Sequence, residues 1–583
     1  MPERQVETIP PGEEVLGQFL GDETFPVTWS SEVEQQLFWV YDDLHIPHPV
    51  SPMFFDIGGW WLSCDHMFRR FGTPFAVDWL AKNVNGYVYT TAIPADPALR
   101  VEGTEYSSRY WARVPRDADY AGSIGSYLDL TLPVYGEHFA DWWRDRLRPE
   151  MERNFAYLEE RLDAADDMSL AEMATVLEDA IDIHDRHWKI HWMLNFAQFA
   201  TTQALNGLLE REKGEAASAL MGRLQSSIED RNWDSIEDLW KMKEEIKEDS
   251  ELRAAFEGET AADVMSALEG SEGGRRFIEE RVEPHQRHFG YKAIWSHEFA
   301  FKTWREDPAP MIEAVRGYLA TDYDYPSAIA GVRDDLEAAK REALEGAGGG
   351  ELEEALERSL SMNPLTPDHH FYIDQGTNAR LRLLLIAIGE KLVGSGTLDD
   401  AEDVMFLRYN ELRLLMADQE AFDARELVGD RRDAREDAFE KRPPSWVGTA
   451  TQTALDFPYN ALWGFPEKFH AGEPATTGEV KGLAASAGVV EGPARYVQSL
   501  DEFDQVQEGE ILVCRMTNPA WVVLFTKISG LVTEAGGAVS HPAVVAREFG
   551  IPAVVGTTNA GERIATGDRV RVNGTTGVVE ILS

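Results

Sequence analysis

One histidine near the C-terminus, His541, stands in a sequence that suits a covalent bond to phosphate. It follows an apolar run at 528–533 and a Gly-Gly pair at 536–537, which allows a tight turn. Ser540 is a good helix N-cap, so we predict a short helix that begins beside it. The free N–H groups and the positive end of the helix dipole would stabilise an anion at the imidazole. They would also keep the ring neutral and nucleophilic.

The residues after His541 predict where this helix ends. Pro542 is tolerated in a first helical turn, and Gly550 followed by Pro552 ends the helix. A second apolar run then predicts another strand. The simpler alternative is a histidine that only caps a turn.

The segment around His541 resembles the phosphohistidine (swivelling) domain of the phosphoenolpyruvate synthase and pyruvate phosphate dikinase superfamily. The matching stretches are 482–497, 510–521 and 546–556. The resemblance implies an α/β domain in which His541 accepts a phosphoryl group from ATP and passes it to a second substrate. It departs at Val539, where many members have threonine. The residues expected to support the phosphohistidine are Gly536, Gly537, Ser540 and Arg547.

Composition restricts the class of protein. The chain has 583 residues, with 102 acidic and 55 basic side chains and a formal net charge of −47. This acidity, spread along the chain, predicts a halophilic protein of a high-salt cytoplasm. It argues against binding to nucleic acid or to an anionic membrane. Two distant cysteines, Cys64 and Cys514, indicate a reduced compartment, and no long apolar run predicts a membrane span.

The pattern along the chain predicts a multidomain α+β protein. Residues 1–25 are expected to be a loosely ordered leader. Residues 26–440 are expected to be a mainly helical region, with a small aromatic-rich β part at about 26–110. That this region binds an acceptor substrate is implied by the resemblance given next. A linker is expected at 441–481 and the α/β swivelling domain at 482–583.

The region before the linker has a resemblance of its own. It is similar to the acceptor-binding region of the rifampicin phosphotransferases. It is also similar to the histidine-bearing subunit of phenylphosphate synthase and of the 4-methylphenylphosphate synthases. The segments that carry this similarity are 25–29, 45–52, 304–308, 367–374 and 400–407. The resemblance implies a phenolic hydroxyl as the acceptor.

Two domains of the full-length dikinases have no counterpart in the sequence pattern. No Gly-rich, phosphate-cradling pattern of ATP-grasp size precedes residue 130, and no barrel-like alternation of strands and helices precedes the swivelling domain. We therefore expect ATP and Mg²⁺ to bind a separate ATP-grasp subunit. No metal site of the chain itself is expected.

Three histidines at positions i, i+3 and i+7, His184, His187 and His191, share one face of a predicted helix. One of them could deprotonate the acceptor hydroxyl, since a phenol with a pKa near 10 needs such help at neutral pH. A zinc site is possible, although no HExxH pattern accompanies the histidines. The plainer alternative is a buried polar stripe, hydrogen-bonded between helices.

A second polar cluster is predicted near the start of another helix. His369 and His370 precede Asp374, and Arg380 and Arg382 follow. We predict that these histidines and Arg380 bind the acceptor or face the incoming phosphohistidine. The alternative is a helix-terminal polar cluster in which Arg380 forms a structural ion pair.

Two other functions remain open from the sequence. The first is a phosphotransferase of the phosphoenolpyruvate-synthase or antibiotic type that uses another donor or acceptor. The second is a non-catalytic phosphohistidine module that regulates a partner. Fold and motif identify a carrier of phosphate but not the pocket of its acceptor.

Overall fold

The chain is described by a computed structural model. The described residues are 14–43, 45–71, 76–94, 119–346, 350–458, 460, 469, 478–497, 500–517, 521–525, 527–534, 541–557 and 559–582. They form two compact units. The first comprises Met1–Ala200, His297–Ala300 and Arg380–Pro474, and the second comprises Thr201–Ser296, Phe301–Ala379 and Ala475–Ser583. The predicted region 26–440 is therefore divided between both units.

Helices make up most of the chain outside two sheets, as predicted. Several continue into π-helical turns, at Trp143–Leu147, Ile278–Val282 and His370–Thr377. In chain order the helices are α1 (Glu32–Gln36), α2 (Pro52–Ile57), α3 (Asp65–Phe71), α4 (Asp119–Trp142), α5 (Arg148–Asp163), α6 (Leu170–Lys213), α7 (Ala217–Leu224), α8 (Arg231–Glu248), α9 (Ser250–Ala255), α10 (Ala261–Glu269), α11 (Glu272–Phe277), α12 (Glu283–Phe289), α13 (Ala309–Thr321), α14 (Tyr325–Leu344), α15 (Gly350–Met362), α16 (Leu365–His369), α17 (Asn378–Gly394), α18 (Tyr409–Ala417), α19 (Ala424–Phe439), α20 (Gln452–Leu455), α21 (Val522–Phe525), α22 (His541–Glu548) and α23 (Ala560–Arg563).

The first unit contains a five-stranded antiparallel sheet in the order β1-β5-β2-β4-β3. Aromatic side chains of β2 and β4 fill one of its faces, so the aromatic-rich sequence near the N-terminus forms core. The strands are β1 (Val15–Phe19), β2 (Phe38–Tyr41), β3 (Ala76–Val84), β4 (Tyr87–Pro94) and β5 (Trp446–Thr451).

Two predicted boundaries are wrong at this sheet. Val15–Phe19, assigned to a leader, is a strand, and Trp446–Thr451, assigned to the linker, is the strand between β1 and β2. The error has a physical cause. These strands pair across the length of the chain, and Gln18 donates to Thr449 from 431 positions away. Such pairing leaves no local periodicity that marks a domain boundary.

A tight turn joins β3 to β4, where the alternating sequence at 83–91 suggests a single strand. Asn85 and Gly86 have φ values of 53° and 89°, the left-handed values of a two-residue hairpin turn. The amide of Gly86 also donates to the side chain of Asn83. The Asn-Gly pair is a strong local hairpin signal, so the sequence contained the information for this turn.

The C-terminal part of the second unit is an eight-stranded sheet, which confirms the predicted α/β character of the domain. The sheet order is β6-β13-β12-β8-β9-β10-β11-β7, with β8 to β11 parallel and the remaining pairs antiparallel. The strands are β6 (Glu479–Lys481), β7 (Leu483–Ser486), β8 (Val489–Val497), β9 (Ile511–Cys514), β10 (Gly530–Thr533), β11 (Ala553–Val555), β12 (Arg569–Asn573) and β13 (Val578–Ile581). Because β6 belongs to this sheet, the predicted linker is also too long at its C-terminal end.

The central strands of this sheet are buried on both faces. In β10, Leu531 packs into one core cluster and Val532 into another. The neighbouring β9 divides in the same way, with Leu512 in the first cluster and Val513 in the second. A parallel strand that is covered on both sides reads as a continuous apolar run, which is how β10 stands in the sequence.

The eight-stranded sheet and its helices pack directly on the helical part of the same unit. Phe549, just after α22, stacks on Tyr323 between α13 and α14 at a centroid distance of 5.6 Å. Trp521 meets Trp295 edge to face at 5.8 Å. Among the described residues, no helix combines the length and the apolar character that crossing a membrane requires.

Candidate functional site

His541 is the first residue of α22, as the sequence predicts. The helix lies between β10 and β11 in sequence, two buried parallel strands that pair with each other. Gly550 ends it with a φ of 65°, and the amide of Ile551 donates to the carbonyl of Ala546 at 2.8 Å. The helix thus lies in the connection between two neighbouring parallel strands. Gly536, Gly537, Ser540 and the His541 side chain lie outside the described part of the chain.

Arg547 occupies the last turn of α22, whereas His541 begins the first. Its Nε donates to the carbonyl of Ala485 in β7 at 2.6 Å. The hydroxyl of Ser486 donates to the carbonyl of Ala546 at 3.3 Å, which ties the same two elements together. Arg547 therefore holds α22 against the sheet. Its expected contact with a phosphoryl group remains a prediction.

Two of the three predicted helical histidines are buried in α6. The indole N–H of Trp188 donates to Nε2 of His184 at 2.9 Å. Nε2 of His187 lies 3.0 Å from the side-chain nitrogen of Asn154 on α5, which donates to it. Both rings therefore have an acceptor nitrogen at Nε2 and fit the alternative of a hydrogen-bonded polar stripe.

Burial lowers the pKa of His187 to about 3, and the nearby His184, Arg186 and Arg380 add to the effect. Between about pH 6.5 and pH 3, the His187 side chain is therefore protonated in the unfolded chain but neutral in the folded chain. This site makes folding less favourable as the pH falls through that window. We expect His187→Gln to lose less unfolding free energy than the wild type between pH 7 and pH 5, measured by urea unfolding. An equal loss in both proteins would contradict this, and His138→Gln, at an exposed histidine, is the control.

The third helical histidine, His191, belongs to a closed circle of six aromatic side chains in the first unit. Each ring contacts the next at a centroid distance between 4.7 and 6.2 Å. The tryptophans are buried, whereas the histidines keep part of their surface exposed. We call this arrangement the six-ring cluster. In order around the circle its members are His45, Trp60, Trp192, His191, Trp188 and His297.

The indole nitrogens fix the tryptophans of the six-ring cluster in place. Trp60 donates to Asp42 at 2.9 Å and Trp192 donates to Ser63 at 3.1 Å. Trp188 donates to His184, as described above. Because each buried N–H has an acceptor, the three tryptophan rings are held in fixed orientations.

His297 reaches the cluster from a short segment that the sequence did not mark. Glu298, which is buried, accepts hydrogen bonds from the backbone amides of Ser51 and Ala300 at 2.6 and 2.7 Å. Arg382, also buried, donates to the carbonyl of Phe299 and to Glu402. These contacts hold the segment beside α2. They give Arg382 a structural role, which no single stretch of sequence could reveal.

The second predicted cluster lies at the end of α16 in the second unit. The rings of His369 and His370 are 4.1 Å apart, and Nδ1 of His370 hydrogen-bonds to the carboxylate of Asp374. Nε2 of His369 lies 3.9 Å from the same carboxylate. His369 is buried, whereas the His370 side chain is 44% exposed. Of the two, His370 has the more accessible ring.

Arg380, the remaining candidate, belongs to the first unit. Its Nε pairs with Glu159 at 2.8 Å, and its guanidinium lies over the ring of Phe155 at 3.9 Å. Both contacts bind α17 to α5. This geometry matches the alternative of a structural ion pair, while its contact with an acceptor remains a prediction.

Two segments of the chain match known protein families. Residues 506–577, which include β9, β10 and α22, match the family described as PEP-utilising enzyme, mobile domain. Residues 191–363 match the rifampicin phosphotransferase fourth domain. The predicted resemblance to the phosphohistidine proteins of the PEP-utilising superfamily is thereby confirmed.

The similar proteins include several named phosphotransferases. The chain is 26% identical to "Uncharacterized phosphotransferase YvkC" of Bacillus subtilis over 95% of its own length and 63% of that protein. It is 39% identical to the rifampicin phosphotransferase of Streptomyces sviceus over 34% of its length and 21% of that protein. It is 50% identical to the phosphoenolpyruvate synthase of Aquifex aeolicus over 17% of its length and 12% of that protein. The chain thus spans less than two thirds of these relatives.

Proposed function

We propose that this protein is a phosphotransferase component that carries a phosphoryl group from ATP on His541 to the hydroxyl of a small aromatic acceptor. The observation that carries the proposal is the position of His541. It begins a helix between two buried parallel strands, inside the segment that matches the mobile domain of PEP-utilising enzymes. A helix N-terminus offers unpaired N–H groups to a phosphoryl group.

The six-ring cluster supports an aromatic acceptor. Tryptophan is a residue type that favours contact with another aromatic ring, and the partly exposed histidines offer polar contacts for a hydroxyl group. A phenolic compound has both features. Phenylphosphate synthases act on such acceptors, and the sequence resembles their histidine-bearing subunit.

We propose that ATP and Mg²⁺ bind to an ATP-grasp unit that is separate from residues 1–583. The chain covers only 63% of the length of one relative and 21% of another. The remaining length of these relatives leaves room for such a unit. Catalysis then needs little besides the carrier histidine, because phosphoryl transfer depends mainly on positioning and on charge stabilisation.

Labelling with ATP tests this proposal. The chain is incubated with β- or γ-labelled ATP and Mg²⁺, with and without an ATP-grasp protein of the same source, at low and high KCl concentrations. We expect acid-labile, alkali-stable label on His541 only when the ATP-grasp protein is present. The high-salt sample should label better. With a net charge of −47, the acidic side chains repel one another at low salt, and a high salt concentration screens this repulsion.

Each other outcome is informative. Label on the chain alone would mean that it binds its own donor and that the separate nucleotide unit is wrong. Absence of label in every sample would contradict ATP as the donor. Labelling by the β-phosphate rather than the γ-phosphate would identify AMP as the nucleotide product.

A further inference from the structure

A carboxylate and an imidazole, Asp42 and His45, form a hydrogen-bonded pair at the edge of the six-ring cluster. Oδ1 of Asp42 lies 2.9 Å from Nδ1 of His45. We propose that His45 is the general base that takes the proton from the acceptor hydroxyl and that Asp42 positions it. The inference rests on the proposed function, and it names a base that the histidine pattern of the sequence did not indicate.

The fold fixes Asp42 firmly. It follows directly after β2, and its amide donates to the carbonyl of Val88 in the adjacent strand at 2.9 Å. Its side chain accepts from the indole of Trp60 and from the amide of His45, and its carbonyl accepts from the amide of Ile46. The carboxylate is fully buried. Every one of these contacts limits its movement, so the imidazole bonded to it is held in one orientation.

The charge of Asp42 supports the same role. Burial raises its pKa, but His45 and the hydrogen bond from Trp60 outweigh burial and hold the pKa below its ordinary value. The side chain is therefore ionised near neutral pH. An ionised carboxylate on Nδ1 selects the tautomer with the proton on Nδ1 and stabilises the imidazolium that forms when Nε2 accepts a proton.

Accessibility separates His45 from His184 and His187, the two buried histidines of α6. The side chain of His45 is 40% exposed, whereas His184 and His187 are buried. The ring of His45 lies between those of Trp60 and His297 within the cluster, at centroid distances of 6.1 and 6.2 Å. A general base has to be accessible to the hydroxyl group that it deprotonates, and the exposed fraction of the His45 side chain meets this requirement.

The proposed step balances as follows. The acceptor oxygen forms a bond to phosphorus while the bond between phosphorus and the His541 nitrogen breaks. The electron pair of the broken bond returns to the imidazole of His541. The hydroxyl proton passes to Nε2 of His45, and Asp42 stabilises the resulting positive charge. The proton leaves to solvent after the aryl phosphate departs.

The test separates the two half-reactions. The chain and its variants His45→Gln and Asp42→Asn are first loaded on His541 with labelled phosphoramidate, a small chemical donor to histidine, with His541→Ala as the blank. The loaded proteins then receive either phenol or the much more acidic 4-nitrophenol. His138→Gln, at an exposed histidine on α4, is the matched control. Circular dichroism verifies that each variant is folded.

We expect all variants except the blank to load equally. His45→Gln should transfer to phenol about 10² to 10⁴-fold more slowly, the usual contribution of a general base. The loss should shrink markedly with 4-nitrophenol, whose hydroxyl ionises without help. Asp42→Asn should lower the maximal rate more than the apparent affinity for phenol and show the same dependence on acceptor acidity, which a merely structural defect would not.

Two results would overturn the inference while the proposed function stands. One is wild-type transfer rates in His45→Gln. The other is an equal loss with both acceptors, which would make His45 a binding residue. A wild-type chain that loads His541 but transfers the phosphoryl group neither to phenol nor to 4-nitrophenol would instead contradict the proposed acceptor class. A wild-type chain that never loads above the blank would contradict the phosphohistidine itself.

Discussion

Replacing His541 with alanine should abolish phosphoryl transfer to any acceptor, with a loss of at least about 10³-fold. The reason is chemical. In the proposed relay the phosphoryl group forms a bond to nitrogen at this position, and alanine offers no nucleophile. The measurement is the rate of aryl phosphate formation from ATP in the presence of the nucleotide-binding unit.

A matched variant shows whether the loss is specific. His288→Ala removes an exposed histidine from α12 in the same unit. Nδ1 of His288 lies 3.1 Å from the Pro284 carbonyl, and its ring lies 6.3 Å from that of Phe289. This variant should retain wild-type activity. Both variants should unfold at the wild-type urea midpoint, because each removes a side chain near a helix end. Residual turnover by His541→Ala above the blank would contradict the carrier role.

Replacing Gly448 with alanine should destabilise the first unit by about 3–5 kcal/mol, the sum of backbone strain and a steric clash. Gly448 lies in β5 with a φ of 96°, a value that side chains strongly disfavour. A Cβ there would lie 2.0 Å from the carbonyl oxygen of Leu37. That carbonyl is fixed, since it accepts the amide of Thr449 at 3.1 Å. Urea unfolding measures the loss.

Gly429 on α19 provides the control for this prediction. A Cβ at Gly429 would meet no atom within 4 Å. Gly429→Ala should therefore leave the protein unchanged or stabilise it by up to about 1 kcal/mol, because alanine favours the helix. Similar stability of both variants would show that β5 does not hold the sheet in the way described. Loss of stability in both would point to a general intolerance of substitution in this unit.

The swivelling domain could be predicted from sequence because its signals are local. The helix at His541 is marked by a strand before it, a turn, and Gly550 after it, all within 23 positions of 528–550. The strands β12 and β13 likewise coincide with short runs rich in Val and Ile. Local turn chemistry and buried parallel strands therefore identify this domain without long-range information.

The first unit could be predicted only in part, because its organisation is non-local. The sheet joins β1 to β5 from opposite ends of the helical region, so both strands were assigned to irregular segments. The hairpin at Asn85-Gly86 was a local signal that the alternation of 83–91 obscured. Strand pairing over hundreds of residues is decided by packing, and packing is not visible in a window of ten residues.

The histidines of α6 show the same limit at the level of the site. Their spacing correctly places them on one helix, yet His184 and His187 fill a hydrogen-bonded interior whereas His191 lies in the six-ring cluster. The cluster also draws His45 and His297 from distant segments. No spacing pattern connects these segments, so only the folded chain reveals which histidine has a buried carboxylate beside it.

A pulse–chase experiment tests the central claim most directly. The wild-type chain is labelled on His541, freed of the donor, and mixed with phenol, and the label is followed in protein, in phenyl phosphate and in inorganic phosphate. The account predicts that label leaves the protein and appears in phenyl phosphate in equal amount, at a rate fast enough to support steady-state turnover. Label that stays on the protein, or that appears only as inorganic phosphate, would contradict a carrier that passes phosphate to a phenolic hydroxyl.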